Sequence, residues 1–342
     1  MSEEKLAIYP YRSEILFLYD VFRCNPNGDP FENRPRQDPV TERIDVTDVR
    51  LKRTIRDYII RYKHDPNKDD GLEIFVRVTG EGAKTAERRY EEIFKELPKA
   101  TKETEAKEKL VKRCVDVRLF GALVPITQKG KSEGKKSKES GAEAAVGEEK
   151  GAGIQITGAV QFNPGQSLHA VEIVEISGTG GFASQEKAKQ KTFRREYLVP
   201  YALIGFYGVI NENLAKESGL TENDVNLLME ALWNGTLSLH SRSKAFHHPR
   251  LIIRLDYRDE RQCGYFLDKL ELSPKKIEKE IRSPKDYTLK LGHWLDEIGR
   301  QTGYLEHVYC KMDTGFSLEP TNLEGKLKEL VQRDDKLSFF TA

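Results

Sequence analysis

The chain has 342 residues, 38% hydrophobic and 32% charged, with 56 Lys and Arg against 55 Asp and Glu and a formal net charge of +1. This composition, with no long apolar run, excludes a collagen-like chain, a wholly disordered chain, a membrane-spanning helix and a histone-like polycation. It leaves one large domain with insertions, or two domains, and it permits a local basic surface.

The opening MSEEKLAIYPYR has neither the basic-then-apolar layout of a secretory signal nor the bias of a transit peptide, so a cytoplasmic protein is expected. Cys24, Cys114, Cys263 and Cys310 lie far apart without paired spacing, which predicts reduced, mostly buried thiols and no zinc ribbon. Glu14 to Phe22 reads as a buried strand, ended by the turn-forming NPNGDP. The loop from Asn25 to Pro39 carries four prolines and must be extended. In DVRLKRTIRDYIIRY, Leu51, Ile55, Tyr58, Ile59 and Tyr62 make one apolar helix face, and the rest of the surface is basic. Leu72 to Thr79 reads as a strand.

From Ala83 to about Val115 the chain is charged and helix-favouring, with two helices broken near Pro98 expected. Gln128 to Gly151 is almost wholly Lys, Glu, Gly, Ser and Ala, and a loop is predicted there. IQITGAVQF and LHAVEIVEI, joined by NPGQS, read as a hairpin, and LVPYALIGFYGVI as a long strand. TENDVNLLMEALWNG reads as a helix capped by Thr221 and ended by Gly235, before the strand Arg250 to Tyr257. Without the insertion the order is strand, helix, strand, strand, helix, strand. That predicts an α+β fold with a ferredoxin-like, RNA-recognition-like sheet.

Three basic clusters are candidates for nucleic-acid contact. The first is Arg50, Lys52, Arg53 and Arg56 on the helix, where rigidly spaced cations match a polyanion; the alternative is a solvated face. The second is SRSKAFHHPR, with Ser241, Arg242 and Lys244 as anchors. Its adjacent His247 and His248 point opposite ways in an extended chain, which argues against a metal pair. The third interleaves Lys187, Lys189, Lys191, Arg194 and Arg195 with Phe182, Phe193 and Tyr197, so that bases could stack on rings while cations follow the strand; the alternative is a surface loop. Asp29, Asp38, Asp45 and Asp48 could hold magnesium in principle, but turn formation, capping and ion pairing are the plainer roles. No phosphate loop, dinucleotide fingerprint, zinc-protease motif or nucleophile elbow is present in the sequence. No catalytic residue, metal or cofactor is assigned.

The ordered set FLYDVFRCNPNGDPFENRPRQDP, VTDVRLKRTIRDY, DVRLFGA, ITGAVQF, VPYALIGFYGVI, LTENDVNLLMEALWNG and SRSKAFHHPRLIIRLDY, between about residue 13 and residue 258, resembles the Cas-seven backbone subunit of type I CRISPR Cascade complexes, closest to the type I-B branch. The resemblance implies a right-hand-like protein. Residues 1–82 and 201–258 would form the two halves of a palm, 83–153 an inserted finger region with its loop at 128–151, 154–200 a hairpin and thumb, and 259–342 a C-terminal helical extension. It implies copies stacked head to tail on a CRISPR RNA, contact with target DNA through the guide, other Cascade subunits as partners, a role in antiviral defence, and no membrane. Lys52, Arg53, Arg56, Ser241, Arg242 and Lys244 would hold guide backbone, and Phe182 or Phe193 would be the thumb wedge. Two other functions are compatible with the residues: a metal-dependent endoribonuclease of the type III backbone kind using Asp29 or Asp38, and a stand-alone single-stranded RNA binder.

Overall fold

The structure, a computed structural model, describes residues 7–77, 84–98, 102–125, 153–179, 193–241, 243–331 and 337–341. The loop predicted at 128–151 lies outside them. β1 (Arg12–Cys24) leads through the proline-rich loop to β2 (Asp45–Val46) and α1 (Asp48–Tyr62). An insertion follows with α2 (Ala86–Phe94), α3 (Glu103–Arg113), α4 (Val115–Phe120), β3 (Gly121–Pro125) and β4 (Gly153–Thr157). The chain then forms β5 (Val160–Phe162), β6 (Gly165–Ser167), β7 (Val174–Thr179), β8 (Phe193–Ile210), α5 (Glu212–Ser218), α6 (Glu222–Leu237) and β9 (His247–Tyr257). The C-terminal part adds β10 (Glu271–Pro274), β11 (Tyr287–Lys290), α7 (Gly292–Gln301), β12 (Leu305–Met312), β13 (Leu318–Glu319), α8 (Leu323–Val331) and β14 (Leu337–Thr341).

Among the described residues, nine strands make one sheet in the order β14-β12-β9-β1-β8-β6-β2, with β5 and β7 also on β8. Only β12 and β14 pair in parallel within it. β1 has no apolar alternation because both of its faces are covered, and every side chain from Ser13 to Val21 is buried. On one face Ile15, Phe17 and Tyr19 pack with α1 and α6. On the other, Leu16 and Leu18 pack with Phe266, Tyr287, Trp294 and Leu327 of the C-terminal part. The expectation of a helical extension after Tyr257 is therefore corrected. That segment adds two strands to the main sheet, builds the separate β10-β11-β13 sheet and covers a face that would otherwise be apolar and wet.

Glu14 fastens this second layer. Its buried carboxylate accepts from the Tyr207 hydroxyl at 2.6 Å, the Tyr257 hydroxyl at 2.7 Å, and the backbone N–H groups of Cys263 at 2.7 Å and Gly264 at 2.8 Å. Four donors to one carboxylate satisfy its lone pairs without water. At the other end of β1, Asp20 accepts from Tyr201 and from Arg250, which also pairs with Asp313.

α1 starts at the N-cap Thr47 and buries Leu51, Ile55, Tyr58 and Ile59 as its periodicity predicts, but Tyr62 in its last turn is exposed. α6 has the expected Thr221 cap, with Asp224 completing a capping box. Gly235 does not end it. The glycine lies inside the helix against α1, where a Cβ would come within 3.0 Å of Tyr58 Cβ, so its missing side chain permits close helix packing.

One expected strand and one expected hairpin are also corrected. Leu72 to Arg77 makes only the Glu73–Cys114 bridge, because the N–H groups of Phe75 and Val76 donate to the Asp116 carboxylate at 2.7 and 3.0 Å instead of to a ladder. The two runs expected as a hairpin do not pair with each other. β4 joins β3, while β5, β6 and β7 lie in turn along β8, whose 18 residues outrun any single short partner.

The insertion has its own core of Phe75, Tyr90, Leu110, Val117 and Ile154. Two buried ion pairs hold it to the helices: Arg56 donates to Asp116 at 2.9 Å, and Arg118 meets Asp224 in a two-pronged pair at 2.8 and 2.7 Å. Removing one partner of such a pair strands the other charge in the interior. Arg118→Ala should therefore lower the unfolding free energy by about 3–5 kcal/mol in urea titrations, whereas Arg300→Ala, which breaks an exposed pair with Glu297, should change it by less than about 1 kcal/mol.

Candidate nucleic-acid interface

The carboxyl end of β1 brings three distant segments together. Asn25 donates its backbone N–H to the Ser243 carbonyl at 2.7 Å, and Phe22 donates to Phe246 at 3.0 Å, so the loop before β9 lies beside β1. The Asn27 carboxamide oxygen accepts from both the N–H and the hydroxyl of Thr47, each at 2.9 Å, and thereby joins the proline-rich loop to the α1 cap. Arg50, three residues into the capped turn, donates its own backbone N–H to Thr47 Oγ1.

Arg50 and Lys244, from two of the basic clusters, thus become neighbours. Burial and then the Arg50 charge push the Lys244 ammonium below its ordinary range, and burial likewise lowers Arg50. Neither forms an ion pair with a carboxylate among the described residues, and Arg50 Nη2 is buried with no hydrogen-bond partner. His247 completes the cluster. Its ring lies 5.7 Å from that of Tyr19, its Nδ1 is 3.3 Å from the Lys244 carbonyl, and burial together with the Arg50 and Lys244 charges lowers its pKa to about 3. Two cations that make no ion pair among the described residues, beside a neutral imidazole, can receive an anionic oxygen with little competition from the protein itself.

The other predicted residues fall differently. Lys52 pairs with Asp48 at 3.1 Å and lies over the Phe120 ring, while Arg53 is half-exposed and pairs with Asp57 at 2.7 Å. The outward-facing role expected of Arg56 is corrected: it is 8% exposed and bound to Asp116, because the insertion covers that flank of α1. Ser241 is exposed. Arg195 projects from the β7–β8 ribbon, 3.6 Å from Glu175. Phe182, Lys187, Lys189, Lys191 and Arg242 lie outside the described residues, as do the side chains of Phe193 and Arg194.

Arg34 and Arg36 were missed, although RPR in the proline-rich loop contains them. Arg34 lies over the Tyr197 ring, 5.4 Å from its centroid, and Arg36 Nε is buried without a partner. The acidic residues have the plainer roles. Asp29 accepts from the N–H groups of Phe31, Glu32 and Arg34 at 2.7–2.9 Å, and Asp38 from those of Val40 and Thr41, which hold both carboxyls below the usual range. Asp45 accepts from Gln166, and Asp48 pairs with Lys52. His247 and His248 face opposite ways, the second lying 3.4 Å from Asp313. All four cysteines are free and buried. Among the described residues there is no cluster of three or more His, Cys, Asp or Glu able to hold a metal, and no helix long and apolar enough to cross a membrane.

The family described as CRISPR-associated protein Cas7 matches the chain over residues 11–292. The chain belongs to the Cas7 family. A family relative, CRISPR-associated protein Cas7 of Haloferax volcanii, is 29% identical over 317 residues, covering 90% of this chain and 88% of its own. Among solved structures, a chain of a CRISPR RNA-guided surveillance complex is 12% identical with a TM-score of 0.45, covering 88% of each chain. A chain of such a complex in a pre-nicking state is 14% identical with a TM-score of 0.44, covering 88% of this chain and 92% of its own. The Cas7 match takes in β1, the proline-rich loop, α1 and the Lys244 loop, and so the whole cation cluster.

The cluster also sets an acid limit on stability. His247 binds a proton below pH 6.5 in the unfolded chain but only below about pH 3 in the folded protein. Its contribution to stability is complete above pH 6.5 and is lost as pH falls from 6.5 towards 3, at up to about 1.4 kcal/mol per pH unit. Urea midpoints measured along that window should fall less steeply in His247→Gln than in the parent protein.

Proposed function

We propose that the protein is the CRISPR RNA-binding backbone subunit of an RNA-guided surveillance complex, non-catalytic in itself. Its copies would coat the guide, and target DNA would be recognised by pairing to that guide alongside other Cascade subunits in antiviral defence. The observation that carries this reading is the pair Arg50 and Lys244, held together with neither ion-paired to a carboxylate among the described residues, in a chain of the Cas7 family. A phosphodiester supplies the missing negative charge.

In this reading β9, β1 and β8 with α1 and α6 form a ferredoxin-like palm. The order β9-β1-β8, antiparallel throughout, with the two helices packed together on one face, supports it. Residues 83–153 act as the finger region and 154–200, around the β7–β8 ribbon, as the thumb, with Lys52, Arg53, Arg195 and Ser241 as further contacts to guide backbone.

The test is the mass of complexes formed on single-stranded RNAs of increasing length, without metal, with RNA integrity checked afterwards. Stepwise addition of copies on intact RNA is expected, and cleavage or a single bound copy at every length would contradict the proposal. Arg50→Ala with Lys244→Ala should weaken RNA binding at least about tenfold. It should also reduce the slope of log affinity against log salt by about 1.4, from two lost phosphate contacts at about 0.7 each.

A further inference from the structure

The amine of Lys244 has surroundings unlike those of Lys52, Lys63 and Lys279, which reach carboxylates at 3.1, 2.6 and 2.5 Å. Its Nζ lies 3.4 Å from the Ser243 hydroxyl and makes no ion pair among the described residues. The side chain is half-buried, and its charged neighbour is Arg50. Asp57, whose charge reaches Arg50, is itself paired with Arg53 at 2.7 Å. Burial and a neighbouring cation both favour the neutral amine, and a desolvated lysine beside another cation is a nucleophile near neutral pH. The Cys24 thiol alongside is no rival, because burial pushes it up to about 12 and keeps it protonated.

We infer that Lys244 is an acylation site for small acyl phosphates and that its acylation releases bound RNA. The release rests on the proposed function, whereas the acylation does not. An acyl phosphate joins an electrophilic carbonyl to an anionic phosphate, and the site holds one group for each. Arg50, with Nη2 lacking a hydrogen-bond partner, is the donor for the phosphate. The amine is held beside it by the loop backbone, where the Lys244 N–H donates to the Ser241 carbonyl at 3.1 Å and the Ser243 carbonyl accepts from Asn25 at 2.7 Å. The Lys244 nitrogen attacks the acyl carbon, the bond from that carbon to the bridging oxygen breaks, and inorganic phosphate leaves with one proton from the amine. No metal or oxidant enters the step. The product is a neutral amide, so one of the two cations is lost and an acyl group fills the place of an RNA phosphate. His247, held neutral by its surroundings, supplies no replacement charge.

The experiment exposes the full-length protein briefly to acetyl phosphate, or to the uncharged donor N-hydroxysuccinimide acetate, and follows acetylation of each lysine by peptide mass spectrometry. Lys68, with a side chain 75% exposed and paired with Asp65, is the reference. With acetyl phosphate, Lys244 should be modified faster than Lys68 despite its burial. Arg50→Ala should slow Lys244 by about 10- to 100-fold, the range for one charge-assisted hydrogen bond, and should slow it less with the uncharged donor. Arg50→Gln is the second probe should that variant fail to fold. Acetylation should reduce the slope of log RNA affinity against log salt by about 0.7, one phosphate contact. The same treatment should leave Lys244→Arg at that variant's own untreated affinity. Modification of Lys244 no faster than Lys68, equal slowing by Arg50→Ala with both donors, or equal loss of RNA binding on treatment of the parent and Lys244→Arg overturns this inference alone. Rapid acetylation of Lys244 with RNA binding unchanged overturns the inference and removes Lys244 from the proposed RNA contact. Absence of RNA binding by the untreated protein overturns the proposed function, and the release with it.

Discussion

Burial of β1 on both faces is the constraint on which the rest of the structure depends. A strand whose successive residues from Ser13 to Val21 are all withdrawn from water needs two covering layers, and the chain supplies them from different places. α1 and α6 make the first and the residues after Tyr257 make the second. Glu14, inside that strand, cannot be left unpaired in an apolar interior. Its four donors come from β8, β9 and the start of the C-terminal part, so one carboxylate holds three segments in register.

The insertion is attached by the same physics. Its small core is separate from the main one, and charges bridge the gap: Arg56 to Asp116 and Arg118 to Asp224. Each is a buried pair whose partners also accept or donate backbone hydrogen bonds, which suits positioning more than net stability. Arg56 shows how this decides function. A cation on a helix surface is free to meet a phosphate only if the rest of the fold leaves that flank open, and here the insertion covers it.

The near balance of charge across the chain conceals a local excess at the end of β1. Most of the surface cations have carboxylate neighbours, as Lys52 and Arg53 do within their own helix. Among the described residues Arg50, Lys244 and the neutral His247 make no ion pair with a carboxylate, and the fold holds them together through backbone bonds that cost no charge.

Much of this was legible in the residues because it is local. The apolar face of α1, the Thr221 cap, the long strand within β8, the helices either side of Pro98 and the buried thiols follow from periodicity, capping chemistry and spacing. The ordered motifs carried the family resemblance for the same reason. Pairing and charge compensation are not local. Leu72 to Arg77 looked like a strand until Asp116 took its N–H groups, and LHAVEIVEI looked like half of a hairpin until β8 proved the longer partner. By itself the sequence determined which segments would be helical or extended and which residues carried charge. Only the tertiary structure decided which charges would be neutralised, as Arg56 is and Arg50 is not, because a counter-ion sixty residues away is invisible until packing brings it within 3 Å.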